Sequence, residues 1–342
     1  MKMLSQKSIS STTVDIAKLD KIPIKMMKKE RTIGSNEGKR MDFMTGLLVK
    51  LSNFCATFLP ANFSRYKDEL SYSMCEFQNA HKSYEKFFKL NSTFANKIIL
   101  DIGCGDGGKT LYYARIGPKN IIGIDIDPVK ILSAKTFQND KGAKFQNLQF
   151  VVEDAEKTSF DDDQFDICIS EDGFEHFPSP QKVLDEVNRM LKPGGRFLIL
   201  FDPYFGYAGP HLYNWIRFPY AHLLFSDRTM INAARIIAKR TIPRTPRREA
   251  PEEQVEREIY QFEHFINKIT LRRFKRYLIS SPNWNLVCLH TYGRRRIFYP
   301  FIHIPFINEM FVSIFCVLEK SPGQRIKPKD FLLKKCKCLR KE

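Results

Sequence analysis

Tryptophan is nearly absent from this 342-residue chain, 2 residues against 29 phenylalanines, so aromatic packing must rest on Phe and Tyr. The 8 cysteines follow neither the spacing of a zinc site nor a disulfide framework, which excludes a cysteine-stapled scaffold. Cys104, Cys168, Cys288 and Cys316 lie in or beside apolar stretches and read as buried free thiols of a reducing compartment. No uninterrupted apolar run reaches the ~20 residues of a bilayer-crossing helix. The most apolar stretch, 43–60, is broken by Lys50, Ser52 and Asn53. It reads as an amphipathic helix packed on the fold or lying on a membrane surface. The first 40 residues lack the apolar core of a secretory signal. The expected localisation is cytoplasmic, with peripheral membrane association as its variant. Internal repeats are missing too.

Acidic residues are outnumbered overall, 38 against 55 Lys and Arg, for a net charge of +17. The imbalance is local. Residues 97–202 carry 18 acidic and 13 basic side chains, so the positive excess lies entirely in the flanks. Basic flanks suit nucleic acid, an anionic membrane surface or an acidic substrate, and otherwise serve solubility.

Along the chain, residues 1–40 read as a basic mobile leader and 41–96 as a helical segment. From Ile98 short apolar strands at 98–102, 120–125, 148–152, 165–170 and 196–201 alternate with amphipathic helices near 108–116, 128–138 and 180–191. That alternation predicts an α/β fold, a mostly parallel sheet with helices on both faces. Residues 97–202 form its core and 203–282 an inserted cap that would hold the acceptor. Residues 283–320 supply two final strands, with Arg294–Asn308 as a loop or arm, and 321–342 a basic tail. The proline-bearing charge run 239–258 reads as a solvated loop.

The densest chemistry is Asp101-Ile102-Gly103-Cys104-Gly105-Asp106-Gly107-Gly108, directly between a strand and a helix. Glycines there let the backbone approach a ligand closely. Asp125 ends the next strand, 20 residues after Gly105, where a carboxylate can accept both hydroxyls of a ribose. A dinucleotide site must welcome a pyrophosphate, and Asp101 and Asp106 would repel one. Asp154, after the third strand, is placed to accept from an adenine amino group. These acids describe an adenosine that carries a positive centre.

The segments ILDIGCGDGG, IIGIDID, VVEDAE, FDICISEDGFEHF and LKPGGRFLI resemble, in order and spacing, the motifs of small-molecule, type-11-like class I S-adenosylmethionine-dependent methyltransferases. The resemblance covers 97–202. It implies a Rossmann-like seven-stranded sheet whose last strand, here Met310–Leu318, is antiparallel, and S-adenosyl-L-methionine as cofactor. Carried over, Asp101, Gly103 and Gly105 would meet the methionine portion and Asp125 the ribose. Asp154 and Ala155 would meet the adenine, Ile126 would pack on its ring, and Ser170 and Glu171 would line the rim after strand 4.

Candidate catalytic residues are Glu175, His176 and His211, at the sheet's carboxyl edge, where an open α/β sheet places its ligands. A base is needed when the acceptor must lose a proton. Asp172, Glu175 and His176 also resemble an acid-x-x-Glu-His pattern that binds Mg²⁺ in some methyltransferases. No fourth ligand is evident, and the site is expected to work without metal. The resulting expectation is O-methylation of a small or lipid- or glycan-linked acceptor. The alternatives are a nucleic-acid methyltransferase that uses the basic flanks, and a catalytically silent binding scaffold.

Overall fold

A computed structural model describes residues 42–58, 69–141, 145–206, 209–241, 250–293, 308–310 and 312–333. The expected leader, the 294–307 stretch and residues 334–342 of the tail lie outside them, as do 242–249 of the charge run; the start of the expected tail, to Arg325, instead continues the last strand.

Seven strands form one sheet in the order β3-β2-β1-β4-β5-β7-β6. They are β1 Ile98–Ile102, β2 Asn120–Asp125, β3 Leu148–Val152, β4 Phe165–Glu171, β5 Leu191–Phe201, β6 Pro282–Gly293 and β7 Val312–Arg325. The first five run parallel to one another, and β7 lies antiparallel between β5 and β6. This is the expected arrangement. The order reverses beside β1, between the first and fourth strands, and open sheets bind ligands at that crevice.

Central strands β1 and β4 are buried over nearly their whole length, as strands covered on both faces must be, whereas edge strand β3 alternates. β5 starts five residues earlier than the pattern suggested. Leu191 pairs with Phe165, and an irregularity over 192–195 precedes the Ile167–Arg196 pairing.

One face of the sheet is covered by helices Pro180–Met190 and Leu271–Ser280, through Val183, Leu184, Val187, Phe274 and Leu278. The other carries Gly108–Ala114 and Pro128–Asp140, with Tyr84, Phe88 and Phe94 from the N-terminal helical segment. Asp127 caps Pro128–Asp140 by accepting from the Val129 N–H at 2.8 Å, with Pro128 in the first turn.

A third core lies apart from the sheet. Helix Asp227–Arg240 packs against both Phe43–Ala56 and Pro251–His264, around Leu48, Trp215, Ala234 and Phe262. The span expected as one cap is therefore divided, since Leu271–Ser280 at its end covers the sheet. The charge run is divided as well. Pro251 opens a helix in which Val255 is buried and Glu256 pairs with Arg235 at 2.7 Å. Glu252 and Glu253 sit in the first turn of that helix, where the helix dipole favours them.

Helix Phe43–Ala56 is apolar on opposite sides. Thr45, Leu48, Val49 and Ser52 are buried, while Phe43, Met44 and Phe54 are exposed. Among the described residues no helix is long and apolar enough to cross a membrane. Cys55, Cys75, Cys104, Cys168 and Cys316 are free thiols. Cys288 departs from its expected state and is disulfide-bonded.

Candidate functional site

The glycine loop emerges where β1 and β2 end. The Gly103 and Cys104 N–H groups both donate to the Ile124 carbonyl at 2.9 Å, which ties the loop to β2. Gly103, Gly105 and Gly107 have φ of 74°, 53° and 76°, backbone that a side chain disfavours. At Gly107 there is no alternative, because a Cβ would lie 2.7 Å from both Ala134 and the Phe150 ring. At Gly105 a Cβ would meet nothing; the open side there is room for a ligand.

Asp125 joins the loop to the strand end. One carboxylate oxygen accepts from the Gly105 N–H and the other from Asp127 N–H, each at 3.0 Å. A carboxylate offers about four acceptor sites, so lone pairs remain for two hydroxyls. Neighbouring Ile126 is 59% exposed, an apolar surface beside a polar anchor. The Glu153 N–H donates to the Asp125 carbonyl and brings Asp154 and Ala155 alongside. Asp154 closes its own turn by accepting from Glu156 N–H at 2.9 Å.

At the loop's other end lies a cluster that the sequence did not announce. Asp101 accepts from Thr110 at 2.5 Å. Burial, reinforced by Glu171, pushes its carboxyl up to about 7 against the effect of that hydrogen bond. Glu171 is buried and takes Lys109 at 2.9 Å, the Tyr113 hydroxyl at 2.7 Å, and the Ser83 hydroxyl. Lys109 also reaches Asp172 at 2.8 Å. Burial opposes its charge, yet Asp172, Glu171 and Glu76 hold the ammonium well above the lysine range. Glu76, on helix Glu69–Asn79, is pushed up to about 7 by burial, Lys109 notwithstanding. That helix crosses the loop so closely that a Cβ on Gly108 would fall 2.3 Å from the Ser73 carbonyl. Asp106 pairs with Lys130 at 2.7 Å, and its other carboxylate oxygen is buried with no hydrogen-bond partner among the described residues.

Acids thus outnumber cations around the loop, and burial lifts two of them, Asp101 and Glu76, to about 7. The residues fit an adenosyl group with a cationic centre. Two expected positions need correction. Ser170 is fully buried, its hydroxyl beneath Gly173 and not along the rim. Asp172 turns to Lys109, away from the metal role that its pattern suggested.

The third group of candidates comes together. Glu175 and His176 occupy a short 3₁₀ turn after β4, and His211 lies in the loop after β5. The imidazoles stand edge to face with centroids 4.7 Å apart. Donor atoms of Glu175, His176 and His211 lie within 4.8 Å of one another. Asn267 fixes the turn by donating its amide to the Phe174 and Phe177 carbonyls at 2.9 Å, while its N–H meets the Glu175 carbonyl at 3.0 Å. Burial, then His176, pulls His211 down to about 3, and burial also lowers His176, so both rings are neutral at pH 7. His211 has φ of 56°, a left-handed conformation that costs a non-glycine residue about 1 kcal/mol or more. In the loop that carries His211, Tyr207 lies outside the described residues. Pro210, Leu212, Tyr213 and Tyr220 line a shallow crevice in the segment after β5.

Residues 100–199 match the family model described as a methyltransferase domain. Sterol 24-C-methyltransferase of Pneumocystis carinii is 29% identical over 146 residues, 41% of this chain and 38% of that protein. Phthiotriol/phenolphthiotriol dimycocerosates methyltransferase of Mycobacterium tuberculosis is 34% identical over 102 residues, 30% of this chain and 36% of its own length. A probable tocopherol O-methyltransferase of Oryza sativa is 32% identical over 104 residues, 30% and 28% of the two chains. The chain thus spans less than two-fifths of these curated relatives. Among solved structures, the YcgJ protein of Bacillus subtilis aligns over 71% of this chain and all of its own at 17% identity, with a TM-score of 0.44.

Proposed function

For a chain that carries the class I S-adenosylmethionine-dependent methyltransferase fold, we propose an enzyme that methylates a small or lipid-linked acceptor. The observation that carries this reading is the acid-rich glycine loop anchored on Asp125. S-adenosylmethionine, when bound, supplies a methyl group already activated on a sulfonium. The chain's residues have the remaining tasks. Asp125 takes the ribose, Asp154 and Ala155 border the adenine, and Ile126 packs on its ring. Asp101, Gly103 and Gly105 hold the methionine portion, and Glu171 keeps Lys109 in place beside it. The net anionic surroundings favour the cation. Orientation of donor and acceptor can supply up to about 7–11 kcal/mol of an in-line displacement.

Glu175, His176 and His211 face the acceptor in this reading. A neutral imidazole accepts the hydrogen bond of an acceptor hydroxyl and orients its oxygen, which suits O-methylation. The acceptor class is inferred from relatives whose names specify sterol, dimycocerosate and tocopherol substrates. Outward Phe43, Met44 and Phe54 support peripheral contact with the cytoplasmic surface of a membrane. Of the basic groups behind a nucleic-acid reading, Arg235 and Lys268 are engaged with Glu256 and Asp227.

Methyl-labelled S-adenosylmethionine, incubated with the protein and a cell extract, tests the proposal. Label in a solvent-extractable small molecule is the expected result. Label in nucleic acid would transfer the assignment to the basic flanks, and no transfer to any fraction would leave a binding scaffold.

A further inference from the structure

We propose that Glu175, His176 and His211 form a binding site for one divalent transition-metal ion of the zinc, manganese or cobalt kind. The loops after β4 and β5 are 35 residues apart in sequence and come together because those strands are parallel neighbours. They deliver two imidazoles and a buried carboxylate whose donor atoms all lie within 4.8 Å of one another. Ligands held at the usual ~2.0–2.2 Å from a metal lie somewhat closer together than that, so small side-chain rotations close the set. Two imidazoles with one carboxylate match borderline transition metals, while an all-oxygen set would suit magnesium.

The supports of the site are those expected around metal ligands. Asn267 clamps the Glu175–His176 turn through three hydrogen bonds. His211 reaches its place in a left-handed backbone conformation. Asp172, the acid that the sequence pattern would enlist, is engaged by Lys109 instead. Three protein ligands leave coordination positions for water or an acceptor oxygen. Only this last role rests on the proposed methyl transfer; the metal binding does not.

The test is calorimetric titration of the chelator-stripped full chain with Zn²⁺ and Mn²⁺, together with the visible spectrum of its Co²⁺ form. One equivalent is expected to bind. Affinity should fall in His211→Ala and Glu175→Gln by at least about 100-fold, the upper end of what losing an outer-shell partner costs. Asp172→Asn should bind metal like the parent protein. Circular dichroism separates loss of metal from loss of fold, and the near-isosteric Glu175→Gln decides where His211→Ala does not fold. No stoichiometric binding by the parent protein, or full binding by folded Glu175→Gln, overturns the proposal. Metal binding without S-adenosylmethionine binding would instead sink the proposed function and leave the metal site standing.

Discussion

The two halves of the sheet's carboxyl edge show one physical effect with opposite signs. On the β1–β2 side burial raises acids, so that Asp101 and Glu76 reach about 7. On the β4–β5 side burial lowers bases, and His211 falls to about 3. In each half the charged form is the one disfavoured. The consequences differ. The acidic half gains by receiving a positive centre, which restores its carboxylates to their ionised state. The imidazole half offers neutral nitrogen lone pairs, which orient a hydroxyl or hold a metal. A donor side and an acceptor side follow from desolvation acting on two kinds of residue.

Substitutions can break this comparison, and the largest expected effect is on stability. Lys109→Met leaves Glu171 and Asp172 without their shared cation. Removing one member of a buried pair costs about 3–5 kcal/mol. With the Lys109 side chain 18% exposed, screening brings the expected loss to about 2–3 kcal/mol, read from urea unfolding. An unchanged midpoint would mean that the acids are compensated otherwise.

Asp125→Ala comes next. Hydrogen bonds to charged groups contribute about 1.5–3 kcal/mol each, so S-adenosylmethionine affinity should drop about 100-fold. His211→Ala, in the other half, should leave that affinity within about threefold, since no cofactor contact is assigned to it. Equal losses in both variants would merge the halves into one site.

A smaller effect comes from pH. A carboxyl whose pKa is raised to about 7 must ionise to serve a cation, so cofactor binding is strongest above pH 7 and weakens as pH falls through it. For one such group the change from pH 8 to pH 6 is about tenfold. A flat profile, or one that rises on acidification, would contradict the raised acids. The smallest expected effect is that of Ile126→Ala. It removes a half-exposed apolar cover and should weaken binding about three- to tenfold, with no change in pH dependence.

Much of this architecture was legible in the sequence because its determinants are local. β1 through β4 are short runs bounded by polar turns, and the loop from Gly103 to Gly107 needs positive φ that glycine supplies. Asp125 and Asp154 follow from their places at strand ends. The rest depends on contacts across long separations. Nothing near Lys109 in the sequence indicates Glu171 as its partner, and Glu76 enters because helix Glu69–Asn79 crosses the loop at Gly108. Ser170 follows the burial of a central strand more strictly than its position near the rim implied. Leu271–Ser280 was concealed inside a long insertion although its Leu271, Phe274 and Leu278 have helical spacing. His211 was recognisable as a candidate base, but its approach to Glu175 and His176 is a product of the β4–β5 pairing.

The central claim, that the glycine loop serves a cationic adenosyl ligand and not a dinucleotide, is tested most directly by calorimetric titration at pH 8. Parallel titrations would use S-adenosylmethionine and NAD⁺. The expected result is saturable one-to-one binding of S-adenosylmethionine and none of NAD⁺. Binding of NAD⁺ with no response to S-adenosylmethionine would contradict the account.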